Sequence, residues 1–366
     1  MIIKQILKFL LISAFILHAC TGNKEQEKKT QKAEEKQTSK KQEKLSTLSY
    51  PANKTEYTAG EKIEFKIQVP DTINTDSIRF YINNDLIQVL RNNSNKTSLP
   101  TENLPVGGNN FRLEVFLDNG QTDVLYKRLT LKSDIKPKTL KCNIIKTYPH
   151  DPQAYTQGLF YENGYLYEGT GHRGQSSLRK INLEKGELIN SLNLPSDYFG
   201  EGVTSFKDKI IQLTWTSRTG FVYDKDEFKL INKVRYPTEG WGITTDGKKL
   251  IMSDGSSTIY FLDPEFFSEI GRIEVYDQND PVTNLNELEY INDKVYANVW
   301  QESYIISFNP ENGKVLEKID CSILIPEKYK NHKDNVLNGI AFDSENNRIL
   351  LTGKRWPKVY HVEFGN

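Results

Sequence analysis

Apolar and polar residues alternate in short runs along most of this 366-residue chain, with a period of two. Runs at 62–69, 77–82, 86–91, 110–116 and 124–131 are separated by turn residues at Ala59-Gly60, Asn83-Asn84, Gly107-Gly108 and Asn119-Gly120. Alternation with frequent turn signals predicts strands that bury one face. Several such strands in under about 100 residues predict a small, immunoglobulin-like β-sandwich over 46–133. The stretch holds neither Cys nor Trp, so only the architecture of that class is expected. No catalytic cluster falls in it, and a spacer or docking role follows. Asp134-Ile-Lys-Pro-Lys138 reads as a linker.

Beyond 140 the pattern repeats. A polar or glycine step followed by two apolar runs occurs at Gln157-Gly-Leu-Phe-Tyr with Gly164-Tyr-Leu-Tyr-Glu-Gly169 and at Glu201-Gly-Val-Thr with Lys209-Ile-Ile-Gln-Leu-Thr-Trp215. It recurs at Trp241-Gly-Ile-Thr with Lys249-Leu-Ile-Met-Ser-Asp254, and at Asn286-Glu-Leu-Glu-Tyr with Lys294-Val-Tyr-Ala-Asn-Val-Trp300. The last copy is Asn338-Gly-Ile-Ala-Phe with Arg348-Ile-Leu-Leu-Thr-Gly353. Intervals of roughly 40–50 residues hold four short strands, the signature of propeller blades. An outer pair follows the two central strands, as at 178–182 with 188–192 and 258–262 with 269–275. Five units fill the remaining length, so an all-β, five-bladed β-propeller is expected over 140–366.

In a propeller the innermost strands line a central channel, and equivalent repeat positions converge at one mouth. Gln157, Glu201, Trp241 (with Glu239 near), Asn286 or Glu287, and Asn338 begin the inner strands. Trp215, Asp254, Trp300 and Lys354 follow the next strands. All four tryptophans, Trp215, Trp241, Trp300 and Trp356, lie in or beside these loops. Glu201 stands between Gly200 and Gly202, where the backbone can turn tightly and a ligand can approach closely. Indoles around one carboxylate, one amine and a few amides suit a small polar substrate; Trp and Gly that mark repeats for packing alone are the other reading of the same spacing.

The N-terminus has another character. Lys4 and Lys8 precede an apolar run at 9–17, shorter than the about 20 residues of a membrane-spanning helix, so 1–20 reads as an export signal. Its end, Leu17-His18-Ala19-Cys20, resembles the lipobox of bacterial lipoproteins. Cys20 is the expected lipidation site, and the mature protein is expected on a membrane, facing the periplasm or cell surface, held by its acyl chains. Residues 21–45 are dominated by Lys, Glu, Gln, Thr and Ser and predict a disordered charged stalk. Lys plus Arg and Asp plus Glu number 48 each, which leaves no electrostatic footprint for nucleic acid. Cys142 and Cys321 lie among apolar residues and are expected to be unpaired small hydrophobes. A monomer is expected.

The residues narrow the chemistry. No His pair has metal-ligand spacing and no Cys cluster is present, although a carboxylate-rich channel offers a place for a structural calcium ion. No Gly-x-Ser-x-Gly elbow, dinucleotide fingerprint or phosphate loop occurs. Acid–base catalysis by Glu201 remains, with Lys354 and Asn286 as charge or oxyanion stabilisers.

His150-Asp-Pro-Gln-Ala-Tyr-Thr-Gln-Gly158, Tyr167-Glu-Gly-Thr-Gly171, Phe199-Gly-Glu-Gly202, Glu239-Gly-Trp-Gly242, Leu285-Asn-Glu-Leu-Glu289, Asn298-Val-Trp300 and Thr352-Gly-Lys-Arg-Trp-Pro357 resemble the motifs of the plant-type glutaminyl-peptide cyclotransferases. The resemblance runs in order over about 140–364. It implies a five-bladed propeller that converts N-terminal glutaminyl residues of peptides and proteins to pyroglutamyl ones, releases ammonia, and needs no cofactor or catalytic zinc. It implies Glu201 as general acid/base, Asn286 and Lys354 as stabilisers of charge on the carboxamide oxygen, and Gln157, Trp215, Trp241 and Trp300 as substrate-binding residues. Tyr155 stands where the family usually has Phe and keeps that wall aromatic. The alternative is a non-catalytic propeller lipoprotein that binds or scaffolds. A lactonase- or dehydrogenase-like propeller would instead use a carboxylate ring, for which Glu168, Glu239, Asp254 and Glu289 are available.

Overall fold

Strands and two short 3-10 turns make up the regular structure of residues 43–330 and 332–366, those that the computed structural model describes. The fold is all-β. The signal at 1–20, Cys20 and the stalk as far as 42 lie outside the described residues. Lys44–Asn366 is one compact unit.

The five alternating runs near the start form the strands Ile63–Gln68, Thr75–Ile82, Asp85–Arg91, Gly107–Leu117 and Thr122–Lys132. Three further strands, Thr47–Tyr50, Glu56–Thr58 and Lys96–Leu99, have only three or four residues each, too few for a clear alternation. Ile63–Gln68 is the centre of a three-stranded sheet, and Gly107–Leu117 is the centre of a five-stranded one. The alternation explains the burial. Ile63, Phe65 and Ile67 point inward and meet Ile78, Phe80, Phe111, Leu113 and Val115 of the other sheet in one core. Phe65 packs edge-on to Phe80 with ring centres 5.5 Å apart. Each such buried side chain contributes about 1.5–3 kcal/mol.

The repeats form four-stranded antiparallel meanders. Three are separate sheets: Thr156–Glu162 to Glu187–Asn193, Gly200–Phe206 to Lys229–Arg235, and Ile243–Thr245 to Glu269–Glu274. The rest is an eight-stranded sheet. One half runs from Leu285–Ile291 out to Val315–Asp320; the other runs from Leu337–Asp343 through Arg348–Gly353 and Lys358–Gly365 to Lys138–Pro149. Lys138–Pro149, the strand before the first repeat, therefore supplies the outer strand of the last meander. It pairs antiparallel with Lys358–Gly365 and parallel with Val315–Asp320. The first strands of the five meanders neighbour one another in chain order, and Leu337–Asp343 returns to Thr156–Glu162. These inner strands are buried along nearly their whole length, whereas outer strands such as Glu187–Asn193 and Lys229–Arg235 are largely exposed. Cys142 and Cys321 are buried and form no disulfide.

The first two sheets dock on the rim of this circuit. Val106 donates its N–H to the Asn312 carbonyl (2.8 Å) and Gly108 donates to Glu274 Oε2 (3.1 Å). Lys314 pairs with Asp134 at 2.9 Å and also reaches the Glu102 carbonyl. The short connection at 134–138 is thus held rather than loose.

Candidate active site

Four of the five inner strands carry a register shift at the same place: between Thr156 and Gly158, Gly200 and Val203, Leu285 and Leu288, and Leu337 and Ile340. Gln157, Glu201, Asn286 and Asn338 sit in these irregularities. A bulge re-aims the side chain at its centre, which turns these polar groups out of the strand alternation and toward one mouth. Neighbouring strands approach closely where glycine stands next in the sequence, at Gly158, Gly202 and Gly242. A Cβ on Gly202 would lie 2.7 Å from the Trp241 carbonyl, and one on Gly158 or Gly242 would strike the neighbouring inner strand.

A second recurring bond sets the wall. The residue just past the second strand donates its N–H to the carbonyl just before the first: Gly171 to Tyr155, Trp215 to Phe199, Trp300 to Asn284, Lys354 to Val336. Trp215, Trp300 and Lys354 therefore rise to equal height around the mouth.

Together these residues line a cavity of about 310 Å³ bounded by Tyr155, Gln157, His172, Phe199, Glu201, Trp215, Trp241, Asn286, Trp300 and Lys354. Every catalytic and substrate-binding residue expected from the sequence is among them. Glu201, Gln157, Asn286 and Lys354 are buried; Trp215 is 38% exposed and forms the rim. Trp241 meets Trp300 edge-on at 5.8 Å, and Phe199 meets Trp215 at 5.7 Å. The Lys354 ammonium lies 4.9 Å from the centre of the Tyr155 ring, within cation–π range.

Burial dominates the electrostatics of the site. Burial holds the pKa of Glu201 well above the ordinary carboxylate value. The Lys354 charge and a hydrogen bond from Gln157 act the other way, and the Glu239 charge adds to the rise. Burial pushes Lys354 down to about 8, against the attraction of Glu201 and Asp334. Asn338 donates to Gln157 Oε1 at 3.2 Å, which leaves the amide nitrogen of Gln157 for Glu201. Asn286 Oδ1 and His172 Nε2 are buried with no hydrogen-bond partner in the protein.

Three other positions have different settings. Asn338 supports Gln157 and Trp356 is a core residue, wholly buried, with its Nε1–H donated to the Asn335 carbonyl. Asp254 is engaged by Thr238 and Ser256. Of the other carboxylates, Glu168 is enclosed by His150 (3.0 Å), Thr156 (2.6 Å) and Arg179 (3.6 Å). Glu287 occupies the place that Gly158, Gly202, Gly242 and Gly339 hold in the other inner strands. It accepts the backbone N–H groups of Leu159 and Ile340, while Glu289 accepts those of Phe342 and the Thr244 hydroxyl. No group of three or more His, Cys, Asp or Glu side chains placed to hold one metal ion occurs among the described residues.

His172 and Phe199 were not foreseen as lining residues. Phe199 precedes the Gly200-Glu201-Gly202 step, so its place in the repeat could have marked it. His172 has φ +77°, an uncommon backbone for a non-glycine residue, and its ring lies 4.0 Å from that of Tyr155; nothing in the local sequence signals this.

Comparison with known proteins places the chain in a family. The sequence model of the family described as Glutamine cyclotransferase matches residues 122–364. The glutaminyl-peptide cyclotransferase of Arabidopsis thaliana is 40% identical over 234 residues, which cover 63% of this chain and 73% of the plant protein. The crystal structure of Myxococcus xanthus glutaminyl cyclase superposes with a TM-score of 0.58 at 34% identity, over 63% of this chain and 99% of that one. By the match to the family model and to the plant enzyme, the chain belongs to the glutamine cyclotransferase family.

Proposed function

We propose that the chain is a glutaminyl-peptide cyclotransferase that turns N-terminal glutaminyl residues of peptides and proteins into pyroglutamyl ones and releases ammonia. The observation that carries this reading is the meeting of Glu201, Asn286 and Lys354 with three indoles in one 310 Å³ cavity. That volume lies at the lower end of small-molecule sites, in keeping with a single glutaminyl side chain and its amine.

In the reaction the α-amine attacks the γ-carboxamide carbon of the same residue. A ring C–N bond forms, charge develops on the carboxamide oxygen, and the bond to the departing nitrogen then breaks. One proton must pass from the attacking nitrogen to the leaving one. Glu201 carries it: as carboxylate it takes the proton, and as acid it returns it to the leaving ammonia. A carboxylate raised by burial is matched to that double task near neutral pH. Lys354 and the Asn286 amide face the oxygen and stabilise its charge, which a water-excluded site makes more effective. Gln157, itself held by Asn338, orients Glu201. Tyr155, Trp215, Trp241 and Trp300 hold the substrate so that amine and carboxamide meet. Because the attack is intramolecular, this positioning supplies much of the barrier reduction.

No metal is required in this scheme: the cavity offers one carboxylate, one amine and one imidazole, a poor donor set for a divalent ion. The closed circuit of five inner strands supports a five-bladed propeller at 140–366, completed by the strand Lys138–Pro149, and the two sheets over one core support an immunoglobulin-like sandwich at 46–133. The lipobox resemblance at Cys20 supports an exported, membrane-anchored lipoprotein, acting as a monomer on peptides and not on nucleic acid.

The test is ammonia release from a Gln-initiated dipeptide by the unit Lys44–Asn366, with and without chelator. Turnover that survives chelator and disappears in Glu201→Gln is expected. A well-folded unit without turnover would point to the binding propeller, and turnover lost to chelator would overturn the metal-free scheme.

A further inference from the structure

The rim of the cavity is held by a group outside its lining. Glu239 Oε2 accepts the indole N–H of Trp215 at 2.7 Å and that of Trp241 at 3.2 Å. The two tryptophans come from different meanders: Trp215 follows the second strand of one, Lys209–Thr214, and Trp241 precedes the first strand of the next, Ile243–Thr245. Each indole continues into a ring contact on its far side, Trp241 against Trp300 and Trp215 against Phe199. Phe199 in turn meets Tyr155 and His172. A band of rings thus runs around the mouth from Trp300 to His172, and Glu239 is its one non-aromatic link. The link bears weight because Trp215 is exposed enough to swing out; an isolated rim indole would sample other rotamers.

We propose that Glu239 is a positioning residue for the cyclisation: its carboxylate clamps the indoles of Trp215 and Trp241 into one wall and sets the width of the mouth that receives the glutaminyl side chain. The proposal rests on the cyclotransferase reading. An ionised acceptor is suited to the task, since charge-assisted hydrogen bonds are shorter and about twice as strong as neutral ones, and one carboxylate oxygen has lone pairs for both donors. The clamp acts on ground state and transition state alike, so its loss falls chiefly on KM.

The experiment compares Glu239→Ala with Glu239→Gln in the unit Lys44–Asn366. The Gln variant keeps an acceptor oxygen at the same reach; the Ala variant removes it. Expected is a rise of about tenfold or more in KM for a Gln-initiated dipeptide in the Ala variant, with kcat changed less, and recovery to within about threefold of wild type in the Gln variant. The indole N–H resonances of protein carrying nitrogen-15 tryptophan report the clamp without any activity. Those of Trp215 and Trp241, assigned from Trp→Phe variants, should shift and exchange faster in Glu239→Ala and stay close to wild type in Glu239→Gln. Unmoved resonances and a wild-type KM in Glu239→Ala overturn the clamp. Equal KM increases in both variants overturn it too, because Gln should restore the anchor. If wild-type protein releases no ammonia, the cyclotransferase reading falls and the positioning role falls with it, while the resonances still decide whether the indoles are clamped.

Discussion

Replacing Glu201 by Gln tests the proposed chemistry and the electrostatics of the site together. The substitution keeps shape and volume and removes the only proton carrier that the scheme provides. A positioned general acid–base contributes about 10²- to 10⁴-fold, or about 3–5 kcal/mol of barrier at about 1.4 kcal/mol per tenfold. Ammonia release should fall by that factor while substrate affinity changes little. Stability should move the other way. The folded-state pKa of Glu201 lies well above its unfolded value, so its protonated form gives stability that is fully present below about pH 4.5 and is lost as pH rises through the folded pKa. Gln has no such loss. Thermal unfolding of Glu201→Gln should match wild type at pH 4 and occur at equal or higher temperature at pH 8. Lys354 would lose its attractive partner, and its pKa should drop below about 8. A variant within tenfold of wild-type turnover would refute the general acid/base role; one that unfolds earlier at pH 8 would refute the claim that the carboxylate is held against a desolvation cost.

Three further outcomes follow from the same geometry. Lys354, pushed down to about 8 by burial, loses its charge as pH rises through that value, so kcat/KM should show an alkaline limb there; Lys354→Met should lack the limb and be slower by about 10²–10³. Glu287→Ala would strip the acceptor from the buried N–H groups of Leu159 and Ile340, at about 1–3 kcal/mol each; the urea midpoint should drop accordingly, with Glu287→Gln intermediate, and an unchanged midpoint would deny the side chain a bridging role. Gly242→Ala would drive a Cβ into the Asn286 carbonyl and should cost tenfold or more in kcat/KM by displacing Trp241 and Asn286, whereas Gly247→Ala, where φ is +82° but the space is open, should lower stability and leave kcat/KM unchanged.

Much of the site was legible before any coordinates because it is built by repetition. A residue that follows the second strand of one unit has counterparts in the others, so Trp215, Trp300 and Lys354 announce a common height without any knowledge of distance. The beginnings of the inner strands behave likewise for Gln157, Glu201 and Asn286. What repetition cannot deliver is anything that breaks it. Lys138–Pro149 lies before the first repeat, and its role as outer strand of the last meander depends on pairing across the whole chain. His172 enters the cavity through a left-handed backbone that no periodic pattern encodes. Glu239 matters through hydrogen bonds to two indoles, one of them 24 residues earlier in the chain, and local sequence says nothing about such reach.

The ambiguity between Asn286 and Glu287 shows how the backbone decides what spacing leaves open. Both residues begin the fourth inner strand, and both carry groups fit for a polar site. The shift between Leu285 and Leu288 sends Asn286 to the cavity, where it meets Glu201 and Lys354, and turns Glu287 inward. At the inward position the other inner strands have glycine: Gly158, Gly202 and Gly242 each admit a neighbour's backbone, and Gly339 has a φ of +114° that favours glycine. One side chain among these glycines has room to enter the channel only if it satisfies the N–H groups it meets there. Glu287 does so with both oxygens, one to Leu159 and one to Ile340. Burial then raises its pKa well above the ordinary carboxylate value, with the Glu289 charge adding to the rise. Two adjacent polar residues are thus separated into a cavity-facing amide and a carboxyl that bridges strands, and the cavity lining is left with Glu201 as its single acid.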